Sequence, residues 1–214
     1  MSQVLFNYPK QAAFGRVLPK NKIYQYAKPS AALKSKFVAE IEQIVWQYKL
    51  SPETTNLPAR SGVSEIQVFD IALKTPEASE QVLRCIDQAV PYPIFYHLIF
   101  MGKAKVTAAY KRPSEADASR WVVDAYFESP WLPADAERTV LPVALDLAGL
   151  YEQMIRRLMP EPPRRGEALK DQVGRVVRIR SLQGECRKME SRLQKEQQFN
   201  RKVELNAQLR SLKT

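Results

Sequence analysis

From Leu33 the apolar residues Phe37, Ile41, Ile44, Val45 and Tyr48 recur at steps of three and four. That spacing puts them on one face of a helix. Ser30, after Pro29, is the expected N-cap, and Leu50-Ser51-Pro52 ends the pattern. The polar stretch from Ser51 to Gly62 reads as a loop. Between Ser64 and Leu73 the period changes to two, with Ile66 and Val68 on one face and Phe69, Ile71 and Leu73 on the other, so a strand covered on both sides is expected. Thr75-Pro76-Glu77 has the order of a helix start, with Val82, Leu83, Ile86 and Val90 as its buried stripe and Pro91 as its stop. Three more strands follow, Ile94 to Phe100, Ala104 to Tyr110 and Arg120 to Phe127. This order predicts a β-α-β crossover followed by an antiparallel meander, hence a small mixed sheet packed with helices, an α+β fold. A helix near Pro142 carries Leu145, Leu147, Leu150, Tyr151, Ile155 and Leu158.

The clearest boundary is Met159-Pro160-Glu161-Pro162-Pro163-Arg164-Arg165-Gly166, where clustered prolines and a glycine cannot continue a helix. Beyond it no proline occurs. An apolar stripe runs through Ile179, Leu182, Cys186, Met189, Leu193, Glu196, Asn200, Val203 and Ala207 at alternating steps of three and four, as in a heptad. The pattern predicts one long, coiled-coil-like helix over 167–214, roughly 70 Å at about 1.5 Å per residue. Leu182, Met189, Leu193, Asn200 and Val203 are its candidate oligomerisation positions. The expected organisation is a basic, aromatic N-terminal arm (1–30), an α+β domain (31–158), a proline-rich linker (159–166) and the basic C-terminal helix (167–214).

Charge alters this picture. The net charge is +10, but residues 1–39 hold seven lysines and arginines and no acid, and residues 161–214 hold 14 basic against seven acidic residues. The middle of the chain is slightly acidic. Two basic ends on an acidic body suit a polyanion, an acidic protein surface, or nothing beyond solubility. For a nucleic acid, the candidate contacts are Lys20, Lys22, Lys28, Lys34 and Lys36, with Tyr24 and Tyr26 for stacking, and Arg175, Arg178, Arg180, Arg187, Lys188, Arg201 and Lys202. The alternative for the N-terminal aromatics is simple anchoring of the arm to the core.

The search for chemistry returns little. His97 is the single histidine and sits in the apolar run Pro93 to Phe100, where packing is its expected role. Two cysteines and one histidine cannot complete a four-ligand zinc site. Neither GxxxxGK[ST] nor GxGxxG occurs, so no nucleotide cofactor is expected. A metal-dependent nuclease would need carboxylates brought together. Glu65 and Asp70 point to opposite faces of a strand, and Asp70 and Lys74 lie about 13 Å apart along it, leaving only Asp124 as a partner for Asp70 across the sheet. No catalytic residue and no metal ligand is assigned. No run approaches the roughly 20 apolar residues of a membrane span. With no signal-peptide pattern, no CxxC and no disulfide framework, a reducing cytoplasm is expected.

The blocks Lys22-Ile23-Tyr24, Ile44-Val45-Trp46-Gln47-Tyr48-Lys49-Leu50-Ser51, Glu65-Ile66-Gln67-Val68-Phe69, Ile86-Asp87-Gln88-Ala89-Val90-Pro91-Tyr92-Pro93-Ile94 and Gln198-Phe199-Asn200-Arg201-Lys202-Val203-Glu204-Leu205-Asn206 resemble the bacterial domain-of-unknown-function family 4391. The resemblance covers nearly the whole chain in order. The family has no assigned activity, so it carries no catalytic residue over. It implies a setting beside helicases and DNA methyltransferases in restriction-like, anti-phage loci. Together these readings favour a non-catalytic accessory or adaptor subunit that binds nucleic acid, a larger helicase or methyltransferase, or its own copy through the C-terminal helix. A metal-dependent nuclease and a purely protein-binding module are the alternatives.

Overall fold

A computed structural model describes residues 4–114 and 121–213. They form two compact units, 1–162 and 163–214. In the first, β1 (Phe6–Asn7), a 3-10 turn (Lys10–Ala12) and β2 (Ala13–Val17) precede α1 (Lys20–Ala27) and α2 (Ala31–Glu40). Then come β3 (Ile41–Leu50), α3 (Pro52–Thr55), β4 (Ile66–Leu73), α4 (Glu80–Ala89), β5 (Ile94–Phe100), β6 (Lys103–Pro113) and β7 (Trp121–Glu128). The short strands β8 (Leu132–Pro133) and β9 (Thr139–Val140) and helix α5 (Leu147–Arg156) complete the unit.

The main sheet has the order β2-β3-β4-β5-β6-β7, with β8 on β6. β4 and β5 pair in parallel across α4, and β5-β6-β7 is an antiparallel meander. The crossover, the meander and the α+β class are therefore as the sequence predicts. Alternation along the strands sends Phe69, Ile71, Tyr96 and Leu98 to one face, where Ile23, Phe37, Val82, Leu83 and Ile86 from α1, α2 and α4 close a core. Phe37 and Phe69 are 0% and 1% exposed, and burying one such ring contributes about 2–3 kcal/mol. On the opposite face Phe95 meets Tyr151 of α5, and Tyr8 stacks at 4.6 Å on Tyr48. β1 pairs in parallel with β9.

Several expectations change. The helix from Leu33 does not reach Tyr48: it ends at Glu40, and Ile41–Leu50 is a strand. β-branched and aromatic residues dominate that stretch, and two register shifts against β4, between Ile41 and Gln43 and between Trp46 and Tyr48, disturb its alternation. The second helix starts at Glu80 rather than at Thr75-Pro76, and α5 starts at Leu147, where the Asp146 side chain accepts from Gly149 N, rather than near Pro142. Residues 4–30 pack on the rest of the first unit: β2 is a sheet edge and α1 contributes Ile23 to the core. The expected strand start, Arg120, lies outside the described residues.

The second unit is a helical pair. α6 (Leu169–Lys195) has 27 residues, about 40 Å. It is followed by α7 (Phe199–Lys213), not continued to the end of the chain. Glu196 marks the break: its backbone is extended, and its Oε1 accepts from Gln197 N and Gln198 N, each at 3.0 Å. The Glu196 carboxylate thus holds the two amides that precede the first turn of α7. α7 folds back on α6, so that Leu212 reaches Ile179, Leu182 and Cys186.

Candidate nucleic-acid interface

Helix α1 packs chiefly against α4 and touches α2 at few points. Ile23 and Phe37 are buried, and the Tyr24 ring meets Phe37 edge-on at 5.4 Å. Ser30 caps α2 by accepting from Leu33 N, and Lys28, at φ 47°, turns the chain between the helices. Tyr24, Ala27 and Leu33 pack partly against the same core, and most other positions face water. Lys22, Lys28, Lys34 and Lys36 are exposed, and the Tyr26 ring is 74% exposed. Lys22 and Tyr26 are four apart and share a face of α1. Lys34 Nζ lies 5.6 Å over the Tyr24 ring, and Lys36 donates to Gln81 Oε1 at 2.9 Å.

Of the sequence candidates, Lys20 and Tyr24 have structural partners instead. Lys20 Nζ donates to the carbonyls of Ile41 at 2.6 Å and Phe37 at 3.3 Å, while Lys74 Nζ donates to Val38 O at 2.8 Å. These ammonium groups close the C-terminus of α2, where cations offset the helix dipole. Partial burial and then the nearby Lys74 charge push the Lys20 ammonium below its ordinary range. Tyr24 is half-buried against Phe37, leaving Tyr26 as the open ring of the pair.

In the second unit Arg180, Arg187, Lys188 and Arg201 are exposed, and Lys202 is half-buried. Arg201 lies 3.6 Å from Glu196, which partly neutralises it. Arg175 is committed to Glu167 at 2.8 Å, and with Arg164 N it pulls the Glu167 carboxyl down to about 2. Leu182, Met189 and Leu193 are half-buried on α6, whereas Asn200 and Val203 are exposed on α7. The five proposed oligomerisation positions thus lie on two helices, not on one stripe.

The carboxylates considered for a nuclease stay apart. Glu65 pairs with Lys49 at 2.6 Å, Asp124 with Arg112 at 3.0 Å and Asp70 with His97 at 2.8 Å. Two strands separate β4 from β7, about 14 Å between the strands of Asp70 and Asp124. Among the described residues no group of three histidine, cysteine or carboxylate side chains is placed to hold a metal.

Two buried polar clusters escaped the sequence reading. In the first, the parallel register sets Asp70 beside His97, whose Nδ1 meets Asp70 Oδ1 at 2.8 Å and whose Nε2 meets Tyr8 Oη at 3.3 Å. Burial holds the Tyr8 phenol well above its ordinary pKa, so it stays protonated and donates to Nε2. His97 then donates through Nδ1 to the carboxylate, and both ring nitrogens are engaged. The cluster locks the N-terminal segment to the sheet and leaves no imidazole nitrogen for a substrate.

In the second cluster, Lys111 is 2% exposed and pairs with Asp87 at 2.8 Å. Its Nζ also donates to the carbonyls of Asp87, Val90 and Tyr92 at 3.1, 3.0 and 2.7 Å, closing the C-terminus of α4. Tyr126 Oη donates to Asp87 Oδ2, and Tyr151 Oη accepts from Lys111 N and donates to Ala109 O. A signal for this cluster existed, since Asp87 lies four residues after Leu83 and three before Val90, on the apolar stripe, where a charge requires a buried partner.

Among the described residues no helix is long and apolar enough to cross a membrane. No curated protein and no solved structure matches the chain. The family described as a domain of unknown function, DUF4391, matches residues 6–214, and the chain belongs to that family.

Proposed function

We propose that this protein is a non-catalytic, cytoplasmic accessory subunit of a bacterial DNA-processing or anti-phage system. It holds nucleic acid for a larger helicase or DNA methyltransferase partner. The observation that supports this reading is the lysine face of α1 and α2. Lys22, Lys28, Lys34 and Lys36 are exposed, as is the Tyr26 side chain, in a stretch of 39 residues without one acid. Such a face binds phosphates by charge and reads no sequence, while an exposed ring stacks on an unpaired base. The nuclease alternative has no assembled carboxylate site behind it among the described residues.

Fluorescence anisotropy with duplex and single-stranded probes over a series of salt concentrations tests the reading. Replacing Lys22, Lys28, Lys34 and Lys36 together by alanine should flatten the slope of log affinity against log salt by about two to four units on duplex DNA. Lys20→Ala should leave that slope unchanged and lower stability instead, because its ammonium is spent on α2. Tyr26→Ala should weaken single strands by about 1–3 kcal/mol and duplex much less. Binding no tighter than about 100 μM at low salt, for the protein alone and in its native complex, removes the nucleic-acid role.

A further inference from the structure

The α6–α7 pair carries a groove of about 360 Å³ whose apolar lining is Ile179, Leu182, Cys186 and Leu212, with Gln183 and Arg187 completing it. The lining residues of α6 follow the steps three, four and seven, so the floor runs along the helix axis for about 10 Å. An incoming helix presents anchors at the same spacing. We propose that this groove docks an acidic amphipathic helix of a partner protein.

Charge selects this occupant over a second copy of the chain. Residues 163–214 hold 14 basic and six acidic residues. Arg187 belongs to the groove, and Arg180, seven residues before it on the same edge of α6, is exposed. Two such units brought face to face oppose like charge at distances near the Debye length, about 8 Å at physiological salt. An acidic helix instead meets complementary charge while its apolar side fills the floor. The surface is separate in its residues from the lysine face of α1 and α2, so either assignment can fail without the other.

Cys186 lies in the groove and is half-buried, whereas Cys85 is 2% exposed. The full chain therefore contains its own reporter. The probe is a synthetic peptide of about 18 residues, roughly five turns, with leucines at i, i+3, i+4 and i+7 and glutamates elsewhere. It should slow N-ethylmaleimide modification of Cys186 in a saturable way. A scrambled peptide of the same composition should not, nor should a version with lysine in place of glutamate. Leu182→Gln should weaken the interaction about ten-fold or more, with circular dichroism showing that helix content is kept. If that substitution melts the helical pair, protection of Cys186 in the unaltered chain decides alone. Equal protection by the scrambled acidic peptide, or no protection by any peptide, overturns the proposal. So does a protein that is already a dimer at micromolar concentration with Cys186 protected, an outcome that assigns the groove to a second copy.

Discussion

Replacing Lys111 by methionine should lower the stability of the fold by about 3–5 kcal/mol. The substitution keeps most of the side-chain volume, so packing alone costs little. What it removes is the cation paired with the Asp87 carboxylate, whose side chain is 0% exposed. It also strips the donor from three carbonyls at the end of α4. Tyr126 still donates to Asp87, but a neutral phenol does not offset a buried charge. Replacing both partners, Lys111→Met with Asp87→Leu, should restore only the part of the loss that comes from the unpaired carboxylate, since the three carbonyls stay without their donor and Tyr126 Oη loses its acceptor. Urea unfolding followed by circular dichroism gives both values. A loss below about 1 kcal/mol for Lys111→Met alone would mean that water reaches Asp87 and that the pair is not a sealed staple.

A second large effect belongs to alkaline solution. Tyr96 and Tyr151 are 0% and 4% exposed, and burial holds both phenols above their ordinary pKa of 10.0. Tyr126 is shifted the same way, by burial first and then by the Asp87 charge. In the unfolded chain these groups ionise near pH 10, whereas in the folded chain they stay protonated. Their contribution is therefore complete below about pH 10 and is lost as pH rises from there toward the folded values. Each phenol that ionises only on unfolding costs about 1.4 kcal/mol per pH unit above 10. Lys111 opposes the trend: burial lowers its pKa from 10.5, so its proton leaves the native state first and stability gains below that value. One such group does not offset several tyrosines. Phenolate absorbance and far-ultraviolet circular dichroism, followed together against pH, should show a cooperative step in which these tyrosines ionise as helix content disappears. Smooth ionisation of every tyrosine near pH 10 with the circular dichroism unchanged would show that the phenols are open to solvent.

The parts of the fold that rest on clean periodicity were legible in the sequence. β4, α4 and β5 are one example: a strand, an amphipathic stripe ended by Pro91 and an apolar strand could only form a crossover. β3 was not legible, because its bulges leave Ile41, Ile44 and Tyr48 at spacings that a helix also satisfies. The stop at Glu196 was hidden for another reason. Its cause is a side chain turning back on the next two amides, and glutamate elsewhere favours helix. The lysine face was visible as composition, but the roles within it were not. Lys20 and Lys22 look alike as letters, and only the fold puts one ammonium on the carbonyls of α2 and the other in water. The partners of His97 and Lys111 lie across strands or on α4, distances in sequence that no local pattern spans.

Helix α2 passes into β3 without a single connecting residue, and its last carbonyls are held by Lys20 and Lys74. Lys34 and Lys36 are in consequence geared to β3, the strand next to the sheet edge. A polyanion lying across them meets a ruler of fixed graduations, and the polymer has to adapt to that ruler. Sliding the helix to suit another phosphate spacing would mean unzipping the bridge between Ile41 and Leu73, where β3 begins. A load on those two lysines should therefore be felt as slower hydrogen exchange at the start of β3, deep beneath the surface that carries it.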